Sequence, residues 1–125
     1  MQKTLDTAFI HYVLQGDLLT GTYKKTHKIT LEMAKDIVKQ RLDFTGHQPV
    51  RGLIFNEGVR SVEKKARDYF ASEGSEGLLA VAYVVENKFN SFIINFFLAA
   101  TKSRFPVRIF SKKESAIKWL EQFRK

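Results

Sequence analysis

The chain has 125 residues, 44% of them hydrophobic and eleven of them Phe, which suits one domain (1–125) with a proper core of its own. It contains no cysteine, so disulfides, thiolate chemistry and Cys-ligated metals are excluded. The formal charge of +8 is concentrated late, with eight Lys/Arg against two Glu from Lys102 onward, a bias that suits acidic proteins, anionic lipid or nucleic acid, or simply a solvated helix face.

In chain order, residues 7–15 and 18–25 are β-rich runs split by the turn-favouring pair Gly16-Asp17, which predicts an antiparallel hairpin, with Gly21 as a candidate bulge. Asp6 and His11 interrupt the first apolar run and no cleavage signal follows, so a secretory leader is not expected and the default address is cytoplasmic. Thr30 can cap a helix from Leu31 to about Phe44, with Leu31, Ala34, Ile37, Val38 and Leu42 at helical spacing and Gly46 as a stop. Residues 50–55 read as a strand and Asn56-Glu57-Gly58 as the loop at its end. Ser61 then reads as the cap of a second helix from Val62 to about Ser72, striped by Val62, Ala66, Tyr69 and Phe70 and closed by Gly74-Ser75-Glu76-Gly77. Residues 78–85 are apolar throughout, as a strand covered on both faces should be.

The segment 88–101, KFNSFIINFFLAAT, predicts a third helix with apolar side chains on two sides. At about 100° per residue, Phe89, Phe92, Ile93, Phe96 and Ala100 share one stripe for the core, while Ile94 and Leu98 point the other way and suit a subunit or partner contact. The longest unbroken apolar run, 96–100, is far short of the ~20 residues of a membrane span. After Pro106 come a strand over 107–110, a Ser111-x-x-Glu114 capping box, and a last helix carrying Ala116, Ile117, Trp119, Leu120 and Phe123. The order ββαβαβαβα implies an α/β fold with parallel crossovers beside one antiparallel hairpin, hence a mixed sheet.

That order, with the pieces RGLIFNEGVRSVEKKARDYFASEG, LLAVAYVVEN, FIINFFLAATKSRFPVRIF and ESAIKWL, resembles the STAS-like domains related to the bacterial anti-sigma-factor antagonist SpoIIAA, and especially their small stand-alone bacterial relatives. The likeness runs from Leu18 onward, and Ala66-Arg67 and Arg108-Ile109-Phe110 with Ala116 and Trp119-Leu120 carry most of it. The resemblance implies a four- or five-stranded sheet with helices packed against it and a binding or signalling role. In those antagonists a loop before the second helix carries Asp-Ser-(Ser/Thr)-Gly, whose hydroxyl is phosphorylated to switch partner binding. Here the matching stretch is Glu63-Lys64-Lys65-Ala66, without the acceptor hydroxyl; Ser61 is the nearest substitute, and its capping role accounts for it.

Other chemistry is sparse. His11, His27 and His47 lack metal-ligand spacing, and neither phosphate-binding glycine signature nor a GxSxG elbow occurs, so no cofactor and no catalytic group are expected. Arg60, Ser61, Lys64 and Lys65 could hold an anion at the N-terminus of the second helix. Asn56, Glu57, Glu86 and Asn87 could gather at the carboxyl ends of parallel strands, where open α/β sheets bind ligands. A Glu57/Glu86 acid-base couple would be the route to an enzyme, although loops carry such residues simply because they face water. Phe105, Phe110, Trp119 and Phe123 among the C-terminal basic residues have the composition of a nucleic-acid stacking surface, but they occupy positions the core would claim, which argues against nucleic acid. The expectation is therefore a non-catalytic interaction or regulatory module without the serine switch, forming a homodimer or meeting another protein through Ile94 and Leu98. The alternative is a small apolar or lipid ligand taken up beneath the third helix, an idea the resemblance extends to because some relatives of this fold are grouped with the Sec14 lipid carriers.

Overall fold

The structure, a computed structural model, describes residues 2–85 and 103–124. Gly16, at φ 62°, supplies the positive φ that a tight hairpin needs, and it folds β2 (Ile10–Gln15) onto β3 (Leu18–Tyr23) in antiparallel register. Gly21 makes no bulge, because it pairs in unbroken register with Tyr12 on one side and Ile54 on the other. Its role is close approach: a Cβ there would lie 3.0 Å from Ile10 Cδ1 and 3.1 Å from Ile54 Cδ1. A further strand, β1 (Gln2–Asp6), pairs antiparallel with β2 along the sheet edge. Its mostly polar and exposed residues leave no apolar alternation to read, which is typical of a protected edge.

Past Tyr23 the chain bends into β4 (Thr26–Ile29) and then α1 (Leu31–Thr45). Thr30 caps α1, its side chain accepting from the Met33 N–H at 3.3 Å, and Gly46 stops it in the left-handed conformation at φ 64°. The strand β5 (Val50–Asn56) pairs in parallel with β3, and the chain turns at Glu57-Gly58 into β6 (Val59–Val62), which pairs in parallel with β4. Two neighbouring strands thus bend together and stay paired beyond the bend. Gly58 permits this, since a Cβ there would lie 2.8 Å from the Lys25 Cα.

The helix α2 (Lys64–Ala71) begins after Glu63 and not at Val62, and Ser61 belongs to β6. Val62 shares the helical spacing of Ala66, Tyr69 and Phe70, but it reaches the same core from a strand, beside Ile29, Val59 and Ala34. Ser61 donates its hydroxyl to the His27 carbonyl at 3.2 Å, and Glu63 Oε1 accepts the Leu31 N–H at 2.7 Å, so the negative charge at the start of α1 comes from within the chain. After a 3₁₀ turn (Glu73–Ser75), β7 (Leu78–Val84) pairs in parallel with β5 and with β8 (Val107–Phe110). The last helix, α3 (Lys113–Leu120), is capped at Lys112 without a side-chain bond, so the Ser111 to Glu114 capping box does not form; Ala116 and Leu120, four residues apart, share its buried face.

Among the described residues the main sheet has six strands in the order β1-β2-β3-β5-β7-β8, one or two more than expected, beside the two-stranded β4-β6 sheet. The period-two alternation of the central strands divides their side chains between two layers. Leu53, Ala80, Ala82 and Val84 pack with Ala116 and Leu120 of α3 on one side. On the other side α1 and α2 pack over the β4-β6 sheet through Ala34, Ile37 and Ala66, while Ile10, Tyr12, Leu19 and Val50 form a core with Phe44 near the end of α1.

Candidate functional site

The side of the main sheet that faces α1 and α2 is incompletely filled. Gly52 sits there in the middle of β5 with no side chain, between Ile54 and the neighbouring Val81, whose Cγ2 lies 3.3 Å from where a Cβ would stand. A cavity of about 80 Å³ lies on this side of the sheet, with Gly52 and Val81 both in its lining. Its floor is the sheet, through Tyr12, Leu19, Tyr23, Ile54, Val81 and Tyr83; its roof is α1 and α2, through Ile37, Val38, Arg41, Arg67 and Phe70. Ser103, Phe105 and Val107 close one side.

Three phenols and two guanidinium groups are the titratable side chains in this lining, and among the described lining residues there is no carboxylate and no imidazole. Burial pushes the pKa of Tyr23 up to about 12, against the pull of the Arg41 charge. The phenols of Tyr12 and Tyr83 are raised further, first by desolvation and then by the nearby Tyr23. All three are therefore O–H groups at neutral pH.

Arg41 is the unusual member. It occupies the buried stripe of α1, four residues after Ile37 and seven after Ala34, and is only 6% exposed. Its Nη2 donates to the carbonyls of Gly74 at 3.0 Å and Glu76 at 2.9 Å, fastening α1 to the 3₁₀ turn. Its Nη1 is buried with no hydrogen-bond partner among the described residues. Desolvation pushes its pKa below the usual guanidinium value, the mark of a charge held in an apolar place. Arg67, by contrast, donates to the Val62 carbonyl at 2.8 Å.

The residues expected to form sites fall elsewhere. Asn56 is occupied by its own turn: Oδ1 accepts the N–H of Gly58 at 3.0 Å and of Val59 at 2.7 Å, and Nδ2 donates to the Val59 carbonyl at 3.0 Å. Glu57 is exposed on that turn. Arg60 and Ser61 lie in β6 and Lys64 and Lys65 in the first turn of α2, with Lys64 paired to Asp68 at 2.8 Å. Glu86, Asn87, Ile94 and Leu98, and the stripe of Phe89, Phe92 and Phe96, lie outside the described residues. Trp119 packs edge-on against Phe123, with ring centroids 4.8 Å apart, and tilted against Phe110 at 5.8 Å, so those aromatics contact one another. Among the described residues, no group of three or more His, Asp or Glu side chains comes together to hold a metal, and no helix is long and apolar enough to cross a membrane.

Reading residues singly misses this cavity, yet two signals for it exist in the sequence: a charged residue on the apolar stripe of α1, and a glycine in the interior of a central strand.

A family model described as a domain of unknown function, DUF7793, matches residues 12–124. The chain belongs to this family. No curated protein matches it. Among solved structures, the DUF7793 chain is similar to an uncharacterized protein of the DUF3478 family with a SpoIIAA-like fold from Shewanella loihica PV-4, at 14% identity and a TM-score of 0.55, over 96% of this chain and 92% of that one. The likeness is one of fold, and the mixed sheet with helices packed against it is SpoIIAA-like.

Proposed function

We propose that this DUF7793 domain is a non-catalytic regulatory module of the STAS-like type, working in the cytoplasm, that holds a small, largely apolar ligand between its main sheet and α1/α2. The observation that carries the reading is the cavity itself, placed over Gly52 and walled by aliphatic and aromatic side chains from both layers. Its lining supports binding over chemistry: phenols held protonated and guanidinium groups do not exchange protons near neutral pH as a general acid or base must. A serine switch is not part of the proposal, because the turn into α2 is Glu63-Lys64-Lys65-Ala66, without a hydroxyl.

Ligand-observed NMR with a set of small apolar fragments tests this. Saturable binding is expected, with the fragments recovered unchanged, and it should vanish in Val81→Phe, where a larger ring occupies the cavity. Binding that survives the block, no binding by any fragment, or turnover of a fragment would contradict the reading.

A further inference from the structure

The two ends of the main sheet differ. At one end the side chains of β1 are exposed almost throughout, so a strand added there would bury little. At the other end β8 pairs only with β7 among the described residues, and its Val107, Ile109 and Phe110 are half-buried. We propose that β8 is a docking edge for another protein, which adds to it an extended segment of alternating acidic and apolar residues.

Two hydrogen bonds fix the direction of the backbone groups. The Pro106 carbonyl accepts the Val81 N–H at 2.9 Å, and the Phe110 carbonyl accepts the Val85 N–H at 2.8 Å. Backbone groups alternate sides along a strand, so residues 106, 108 and 110 turn theirs toward β7 while Val107 and Ile109 turn N–H and C=O away from it. Those outward groups have no protein partner among the described residues. A proline blunts an edge when it removes an outward donor, but Pro106 faces inward and leaves both outward donors in place.

Charge selects the occupant. Residues 103–113 hold Arg104, Arg108, Lys112 and Lys113, all exposed, and no Asp or Glu. None of these four is in an ion pair among the described residues. Arg108 lies on the α3 side, its guanidinium carbon 5.3 Å from the centre of the Phe110 ring, whereas Val107 lines the cavity on the opposite side. An added strand therefore meets positive charge on one face and aliphatic side chains on the other, which suits carboxylates alternating with β-branched residues. A second copy of this chain is disfavoured, because β8 against β8 brings the same basic cluster together. Nucleic acid answers the charge but has no row of peptide groups to pair with Val107 and Ile109.

The test is an NMR titration of the full chain with an end-blocked peptide, Glu-Val-Glu-Val-Glu-Val, and with its counterpart carrying Lys for Glu. In the free protein the amides of Val107 and Ile109 should exchange rapidly with solvent while that of Arg108, turned toward β7, exchanges slowly. The acidic peptide should shift these amides saturably, slow the exchange of Val107 and Ile109, and bind at least about tenfold more tightly than the lysine peptide. Methylating the backbone nitrogens of its valines or those of its glutamates should abolish binding in one case and spare it in the other, because only alternate amides of an added strand face β8. Arg108→Glu should reverse the preference between the two peptides; if that variant does not fold, the methylated pair on the wild type decides. Slow exchange of Val107 and Ile109 in the free protein would show an edge already covered and overturn the proposal. So would equal binding of the two peptides, binding that survives both methylations, or a single-stranded oligonucleotide shifting these amides where the acidic peptide does not.

Discussion

Removing the carboxylate of Asp17 should cost this fold more than a turn residue normally would. Asp17 follows Gly16 at the tip of the first hairpin, where its carboxylate receives Arg51 Nε at 3.1 Å and Nη2 at 2.6 Å in a fork, and its carbonyl accepts the Arg51 N–H at 2.7 Å. The remaining guanidinium nitrogen, Nη1, donates to the Leu120 carbonyl at 3.3 Å, where a cation also favours the end of α3. One side chain therefore ties together the hairpin, β5 and the helix on the far face. The side chains of Arg51 and Asp17 are 5% and 18% exposed, so Asp17→Ala strands a buried charge. Breaking such a pair costs about 3–5 kcal/mol, and the partial exposure of Asp17 places the loss near ~3 kcal/mol, or a drop of roughly 10–15 °C in Tm for a chain of this size. Urea denaturation followed by Trp119 fluorescence on the wild type, Asp17→Ala, Arg51→Met and the double variant would measure it. The double variant should be less destabilised than the sum of the singles, since removing both charges leaves neither unpaired. A loss below about 1 kcal/mol for Asp17→Ala, or simple additivity, would refute the reasoning.

Three other outcomes follow from particular contacts. Gly58→Ala should destabilise by about 1–3 kcal/mol in the same assay, because its Cβ would meet the Lys25 backbone 2.8 Å away, where no side chain can swing aside. Asn56→Ala should lower stability by about 2 kcal/mol by releasing the turn it bonds at three points, yet leave fragment binding unchanged; a selective loss of binding would instead make Asn56 a ligand residue. In alkali, Tyr23 ionises from an ordinary value of 10.0 in the unfolded chain but about 12 in the fold, so the folded state holds the extra proton between them. Stability is thus full below pH 10 and falls as pH rises through about 12, by up to roughly 3 kcal/mol from this group; Tyr12 and Tyr83 act in the same direction, and unfolding curves at rising pH with phenolate absorbance would show the two losses together.

The parts of the fold legible in the sequence were those set by local rules. Gly16-Asp17, Thr30 with Gly46, and the Val-rich run that becomes β7 each act through near neighbours, and the structure has the hairpin, α1 and an interior strand where they point. What escaped depends on partners far along the chain. β4 is polar and short and exists because β6 lies beside it; β6 carries a valine at helical spacing from Ala66 and so mimics the start of α2. Ser111 has the spacing of a cap, but the helix is capped one residue later, at Lys112, without a side-chain bond. The cavity escaped for the same reason: Arg41 on an apolar stripe and Gly52 inside a strand stand out singly, but they and Tyr83 come from three elements that meet only when the sheet and helices are stacked.

Xenon tests that cavity most directly, because it needs space and an apolar wall but no charge. Methyl-resolved NMR of the wild-type protein under xenon pressure should move the signals of Ile37, Val38, Ile54 and Val81 and leave those of Ile117 and Leu120, on the opposite face, in place. If the methyl groups beneath α1 and α2 do not respond, or if the α3 side responds equally, the ligand site proposed for this domain is not there.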